Sequence, residues 1–336
     1  MIKYNKELLL KEDSYNLIKN YKGVYNKFSN RFPVEYSDRL LDWINNDYVS
    51  IFDLIMKPKL KKEYIENFYS NLSNSKIIKN KLLLKLFSFW EYFGGNYFTK
   101  RNNYLVLGDK ELLEKNNACL TPYHELLHLL STRIDDKHTV RIGLQINDYG
   151  ISINEGYTEL LTKRYFNNFS IKDYTAYPNF VWYMEMIEEI VGKDRLEDLY
   201  YSSNQEGLSK ELTSLSNEED IINLFNTMDE LFFDEKHLYD IQKKYLKLNK
   251  EVDLKTMNEY YESNKINRDY IFESILKMYK NKQLKLLKNK IIDQEMYDKR
   301  IKEFVEKNLK KKEKTDQIED LYQDYFKNEI KTCTKK

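Results

Sequence analysis

Several residue types are scarce in this chain of 336 residues, and each scarcity excludes a class of protein or favours a kind of structure. The two cysteines, Cys119 and Cys333, are too few for a disulfide scaffold or a four-cysteine zinc site. No stretch contains the roughly 18 to 20 apolar residues that a membrane span requires, so we expect no membrane span. Only nine glycines and four prolines are present, which favours long helices because few residues interrupt them.

An excess of charge of one sign is also missing. The 55 lysines and arginines nearly cancel against 54 aspartates and glutamates, and the net charge is +1. We therefore expect no nucleic-acid partner, because a globally basic surface is absent. The basic run at residues 310–312 has acidic neighbours, which is typical of a solvated helix face. The apolar run Leu8–Leu10 is too short for a signal-peptide core, so we expect a cytoplasmic protein, with specialised export left open.

The apolar pattern predicts a predominantly helical α+β fold, and the 41 % hydrophobic fraction is sufficient for a sizeable core. We divide the chain into a helical N-terminal region over residues 1–95, a mixed core over 96–215 and a helical C-terminal region over 216–336. The sequence does not indicate whether the protein is a monomer or an oligomer.

Short strands are predicted within the mixed core. The apolar run Tyr104–Leu107 is bounded by asparagine and glycine, which indicates a strand. Apolar and polar residues alternate over residues 139–146, a period typical of strands, and Ile151–Ile153 is predicted as a return strand. These segments should form a small sheet that flanks the helix carrying the motif described below.

Two helices of the core have recognisable starting residues. Thr121 is expected to cap the first helix, with Pro122 in its first position, and this helix should run to about Thr132. Asn154 is expected to cap the second helix, which should run to about Asn167.

The first helix carries the most informative motif, His-Glu-Leu-Leu-His at residues 124–128. His124 and His128 are four residues apart and share one helix face, so both imidazoles can bind one zinc ion. Glu125 lies beside the first histidine, where its carboxylate can take a proton from an activated water. An apolar helix with two histidines and a glutamate at this spacing is unusual for a plain core element.

A catalytic zinc site needs a third protein ligand and one open position. The downstream candidates are Asp135, Asp136, His138 and Glu155. The metzincin pattern fails, because Ser131 and Ile134 stand where that pattern has glycine and histidine. We favour Glu155 as the third ligand, because it opens the second helix and Glu159 follows one turn later on the same face. The alternative is a solvated acidic pair at a helix start, where negative charge is favourable.

The segment Asn-Glu-Gly-Tyr-Thr-Glu at residues 154–159 resembles the second helix of the gluzincin metallopeptidases, which begins with an Asn-Glu pair. The chain is similar, more closely still, to uncharacterised zincin-like proteins of low-GC bacteria. The resemblance implies a zincin-like catalytic core within residues 96–215, zinc as the cofactor and Glu155 as a ligand. It also implies that Glu159 contacts the second nitrogen of a ligand histidine, with Asn154 adjacent to the site. Twenty-six residues separate His128 from Glu155, more than in thermolysin-like members, and the predicted hairpin accounts for the extra length.

The resemblance to a peptidase also implies a donor for the oxyanion that forms when water attacks. The candidates are Arg141, Tyr174, Tyr177 and His237. We favour Tyr177, which precedes Pro178 in a predicted bend after the second helix.

Gly156 is expected to allow close approach of the second helix to the first, or else to serve as a flexible turn. Cys119 is interpreted as a small buried residue rather than an inhibitory thiolate ligand.

The leading hypothesis is a zinc metallopeptidase that acts on a peptide or protein substrate. The alternatives are a regulatory or effector protein with a zinc site and a single protein partner, and a helical interaction protein with a vestigial site. The presence of Glu125 beside both histidines and Glu155 argues against the vestigial site, because a structural zinc site needs no base.

Overall fold

A computed structural model of the chain describes residues 48–74, 76–78, 95–98, 104–107, 120–134, 139–169, 177–248 and 254–333. Within these residues the fold is predominantly helical with small sheets, which confirms the predicted α+β class. No described helix is long and apolar enough to cross a membrane.

Ten α-helices and six strands are described. The helices are α1 Ser50–Met56, α2 Lys62–Asn74, α3 Thr121–Leu130, α4 Ile151–Phe166, α5 Pro178–Val191, α6 Lys193–Tyr201, α7 Gln205–Thr213, α8 Glu218–Leu248, α9 Leu254–Lys288 and α10 Gln294–Cys333. The strands are β1 Lys76–Ile78, β2 Gly95–Phe98, β3 Tyr104–Leu107, β4 Thr132–Ile134, β5 Val140–Ile142 and β6 Gln145–Ile146. The long helices α8 to α10 confirm the helical character predicted for residues 216–336.

The strands form two three-stranded sheets. In the first, β3 lies in the centre, parallel to β1 and antiparallel to β2. Strand β3 confirms the prediction for Tyr104–Leu107. The second sheet is antiparallel in the order β4-β5-β6 and follows α3 directly, with Thr132 paired to Ile142 and Ile134 to Val140.

The alternating segment at 139–146 forms two strands rather than one. Gly143 has a φ of 53°, a conformation that glycine adopts readily, and the chain turns there between β5 and β6. Leu144 is fully buried in this turn. An apolar residue is therefore needed at this position because the hairpin turn buries it, and not because a continuous strand passes through it. The return strand predicted for Ile151–Ile153 is wrong, because these residues form the first turn of α4.

Two predicted helix caps are also wrong. Helix α3 has Leu120 at its N-cap without a side-chain hydrogen bond, so Thr121 is already helical, and the helix ends at Leu130 because Thr132 enters β4. Helix α4 begins at Ile151, which places Asn154 inside the helix rather than at its cap. Asp229 takes the capping role for α4 instead.

The chain divides into two compact units, and the predicted division at residues 95 and 215 stays a prediction. The first unit contains the described residues up to 148 together with 157–178 and 197–205. The second contains residues 149–156, 179–196 and 206 onwards. Helix α4 is one uninterrupted helix, with its first residues counted in the second unit and the rest in the first.

An aromatic stack forms part of the core of the first unit. Phe52 lies between Phe68, at 4.8 Å between ring centroids, and Phe166, at 5.7 Å. Phe166 in turn stacks on Tyr123 at 4.4 Å with an interplanar angle of 5°. The four rings join α1, α2, α3 and the C-terminal end of α4, and so fix the helix that carries the motif.

The described helices and strands that lie within the second unit are all helices. Phe180 of α5 packs edge-on against Phe232 of α8, with 5.4 Å between ring centroids. Trp182 donates its Nε1–H to Asn308 Oδ1 at 2.9 Å, which connects α5 to α10. These contacts hold α5 against two of the long helices of this unit.

Candidate metal centre

Helix α3 is buried along nearly its whole length. Residues 122–130 are all buried, and Leu126 and Leu127 have no exposed surface. His124, Glu125 and His128 are only 6–7 % exposed. Polar groups are costly to bury without partners, so a polar stripe on such a helix requires specific interactions.

The two histidines of the motif converge. Their Nε2 atoms lie 3.0 Å apart, and their ring centroids lie 4.7 Å apart at an angle of 75°. The i, i+4 spacing on α3 places the rings on one helix face, as the sequence indicates. Both rings therefore direct the same nitrogen to a common point.

Two asparagines of α2 hold the C-terminal end of α3. Asn67 Nδ2 donates to the carbonyl oxygens of Leu130 and Thr132 at 2.9 and 3.0 Å. Asn71 Nδ2 donates to those of Leu129 and Thr132 at 2.9 and 2.8 Å. The last carbonyls of a helix lack intrahelical partners, so these bonds satisfy them and fix the end of α3 close to His128.

Glu159 of α4 is the carboxylate that contacts the first histidine. Its Oε2 lies 3.1 Å from His124 Nδ1, and the Glu159 side chain is buried. A carboxylate at this distance favours the proton on Nδ1, which leaves the lone pair of Nε2 free to bind a metal. Next to it, Thr158 Oγ1 and Tyr200 Oη share a hydrogen bond of 2.7 Å that joins α4 to α6.

Glu155 lies one turn before Glu159 on the same helix, and its side chain is half-buried. One carboxylate oxygen of Glu155 and one ring nitrogen from each of His124 and His128 all lie within 4.8 Å of one another. Among the described residues, these three are the group that could hold a metal ion. The three side chains come from two helices and surround one point.

The remaining predicted site residues lie on α3, on α4 and directly before α5. Glu125 follows His124 on α3 and is 7 % exposed. Tyr177 directly precedes α5 and is half-buried, and its ring centroid lies 6.2 Å from that of His124. Asn154 precedes Glu155 on α4 and is 1 % exposed.

Two other sequence candidates lie on different elements from His124, His128 and Glu155. His237 lies on α8 beside Tyr260, with 5.5 Å between ring centroids. Arg141 lies on β5 opposite Arg133 of β4. The alternatives Asp135, Asp136, His138, Tyr174 and Cys119 lie outside the described residues.

Gly156 approaches a different helix from the one expected. A Cβ atom built on Gly156 would lie 2.7 Å from both Cβ and O of Phe180 on α5, and 2.8 Å from its carbonyl carbon. The glycine therefore allows α4 to contact α5, and the expected approach to α3 stays a prediction. Glycine inside a helix signals a close approach, but the sequence does not identify the partner helix.

Comparison with known proteins does not assign the chain to a family. No family model, no curated protein and no solved structure matches the chain. The resemblance to gluzincins stays a prediction, and the function must be inferred from the residues themselves.

Proposed function

We propose that this protein is a zinc metallopeptidase of gluzincin type that hydrolyses peptide bonds in a peptide or protein substrate. The observation that carries the proposal is the group formed by His124, His128 and Glu155, whose ligand atoms lie within 4.8 Å of one another. The proposal also includes a cytoplasmic location, which rests on the sequence alone.

The residues of this group fit a zinc ion in donor type and in spacing. Hydrolytic zinc sites use two histidines and a carboxylate with an open fourth position, at about 2.0–2.2 Å from the ion. Ligand atoms on such a tetrahedron lie about 3.4 Å apart. The two Nε2 atoms are 3.0 Å apart and no pair in the group exceeds 4.8 Å, so small side-chain adjustments would let all three hold one ion.

Glu125 is proposed as the general base. When bound, zinc activates a water and polarises the scissile carbonyl. The carboxylate of Glu125 takes the proton of the attacking water and then delivers it to the leaving amine. Because Glu125 is 7 % exposed, bulk water competes little for this carboxylate.

Three further residues support this chemistry. Tyr177, whose ring lies 6.2 Å from that of His124, is proposed to donate its hydroxyl proton to the developing oxyanion. Glu159 orients His124 through the 3.1 Å contact at Nδ1. Asn154 is proposed to support the position of Glu155 from the preceding residue of α4.

The test measures zinc content and peptide cleavage side by side on three variants. Glu125→Gln should keep zinc and abolish cleavage, because an amide cannot accept the proton of the water. Glu155→Gln should weaken zinc binding, because a neutral oxygen is a poorer ligand than a carboxylate. Glu159→Ala should reduce zinc affinity or activity about 10–100-fold, as is typical for residues that orient a ligand. Glu66→Gln is the matched control, because Glu66 is exposed on α2 and should behave as the parent.

The outcomes distinguish the roles. Loss of zinc in Glu125→Gln together with full zinc content in Glu155→Gln would reverse the assignment of base and ligand. Parent-like cleavage by all three variants would refute the catalytic role of the group. A zinc-loaded parent without cleavage of any general peptide library would favour an effector with one protein substrate.

A further inference from the structure

The start of α4, the helix that carries Glu155, is buried and has no cap of its own. Gly150 is buried, Ser152 has no exposed surface and Asn154 is 1 % exposed. No acidic residue lies in the first turn of α4. The first N–H groups of a helix have no intrahelical acceptor, and water cannot easily serve buried ones, so this start needs an acceptor from elsewhere.

Asp229 of α8 supplies that acceptor within the second unit. Its Oδ2 accepts from Gly150 N at 2.7 Å, and its Oδ1 accepts from Ser152 N at 2.9 Å and from Ser152 Oγ at 2.6 Å. Asp229 is 9 % exposed. A carboxylate at a helix N-terminus is also stabilised by the helix dipole, so Asp229 fixes both the position and the rotation of the start of α4.

Glu155 follows Ser152 by three residues, less than one helical turn. A side-chain atom at about 6 Å from a helix axis moves by about 1 Å when the helix rotates by about 10°. Metal–ligand distances tolerate about 0.2 Å, so a small rotation is enough to misplace a ligand. The contact of Gly156 with Phe180 provides a second fixed point for the same segment.

We propose that Asp229 is the positioning residue that holds the Glu155 carboxylate in its metal-binding place. This role rests on the metal centre proposed above. Asp229 is not one of the three residues whose ligand atoms converge. It acts through three hydrogen bonds to the first turn of α4.

The experiment uses Asp229→Asn, which keeps the shape of the side chain but turns one of its two acceptor atoms into a donor. That donor faces a backbone N–H, so at least one bond to Gly150 or Ser152 is lost. Three quantities are measured on the full chain: zinc affinity by competition with a chromophoric chelator, the visible absorption spectrum of the Co²⁺-loaded protein, and thermal unfolding of the metal-free protein. The expected result is a loss of zinc affinity of about 10–100-fold and an altered Co²⁺ spectrum.

Glu197→Gln is the matched control, because Glu197 of α6 also holds α4 through hydrogen bonds to its carboxylate. Glu197 Oε1 accepts from Arg164 Nη1 at 2.9 Å and from Tyr165 Oη at 2.7 Å, near the C-terminal end of α4. The same change of carboxylate to amide should lower thermal stability there without changing the zinc affinity or the Co²⁺ spectrum. A general loosening of α4 would instead affect both variants alike.

Parent-like zinc affinity and a parent-like Co²⁺ spectrum in a folded Asp229→Asn protein would overturn the positioning role. If Asp229→Asn does not fold, Ser152→Ala tests the positioning role instead. This variant removes the hydrogen bond from Ser152 Oγ to Asp229 and leaves the two hydrogen bonds from backbone N–H groups. A smaller loss of zinc affinity in Ser152→Ala supports the role, and unchanged affinity overturns it. A parent protein that binds neither ion overturns the metal centre, and with it this role, before any variant is compared.

Discussion

Replacement of Gly156 by alanine tests the close approach of α4 to α5. Alanine inside a helix is ordinarily more stable than glycine by about 1 kcal/mol. Here the new Cβ would lie 2.7 Å from Cβ and O of Phe180 and 2.8 Å from its carbonyl carbon. Carbon atoms pack best at about 3.5–4.0 Å, and two of these three atoms belong to the backbone, which cannot rotate away.

The expected sign is therefore opposite to that of helix propensity. Overpacking costs about 1–3 kcal/mol, and the backbone contacts at Gly156 place this site at the upper end of that range. Subtracting the propensity gain of about 1 kcal/mol leaves a net destabilisation of about 2 kcal/mol. The displaced segment carries Glu155, so zinc affinity should fall as well.

Urea unfolding of the metal-free protein, followed by circular dichroism, measures the stability change, and chelator competition measures zinc affinity. Gly192→Ala is the control. Gly192 has a φ of 99°, and no described atom lies within 4 Å of a Cβ built there, so alanine costs backbone strain alone. That strain is about 1–2 kcal/mol and should leave zinc affinity unchanged. A Gly156→Ala protein that is more stable than the parent by about 1 kcal/mol would refute the close approach.

Further perturbations test the packing around the site. Replacing both Asn67 and Asn71 by alanine leaves buried carbonyls of α3 without donors and should cost about 1–3 kcal/mol in urea unfolding. Phe166→Ala should cost about 3–5 kcal/mol, and a loss below about 1 kcal/mol would contradict the aromatic stack. The Tyr201 hydroxyl is buried without a hydrogen-bond partner among the described residues, so Tyr201→Phe should gain about 1 kcal/mol at neutral pH. Burial raises the pKa of Tyr201 well above its ordinary value, so the parent should lose stability above about pH 10, and Tyr201→Phe should lose less. Free zinc at about 100 times its Kd should stabilise the parent by about 2.7 kcal/mol over the chelator-treated protein, as measured by thermal unfolding.

The fold could be predicted from the sequence where local pattern decides it. Scarce glycine and proline and helix-spaced apolar residues predict the long helices, and the apolar run at Tyr104–Leu107 predicts β3. The start of α4 could not be predicted in this way. Ile151–Ile153 has strand propensity, but Asp229, which lies 77 residues after Ser152, accepts the amides of a helical turn there. A cap from so distant a residue has no local signal.

In the candidate site as well, local spacing predicts some features and long-range packing determines the others. The positions of His124, His128, Glu155 and Glu159 on two helix faces follow from spacing alone, since residues four apart share a face. The supports of those helices do not follow from spacing. Nothing in the sequence indicates that the amides of Asn67 and Asn71 reach the end of α3, because those contacts depend on how α2 and α3 pack.

The 3.0 Å separation of the two Nε2 atoms has two chemical explanations, and the tautomer of His128 distinguishes them. Without a metal, the contact with Glu159 places the proton of His124 on Nδ1, and His128 then donates its Nε2–H to the bare Nε2 of His124. This hydrogen-bonded arrangement involves Glu159 and the two rings, and one carboxylate oxygen of Glu155 lies within 4.8 Å of both ligand nitrogens. A shared cation gives each of the three side chains a role and keeps the same contact of Glu159 with Nδ1. It requires only that His128 carry its proton on Nδ1 instead of Nε2, a tautomer change that ¹⁵N NMR of the zinc-loaded and metal-free protein reports directly.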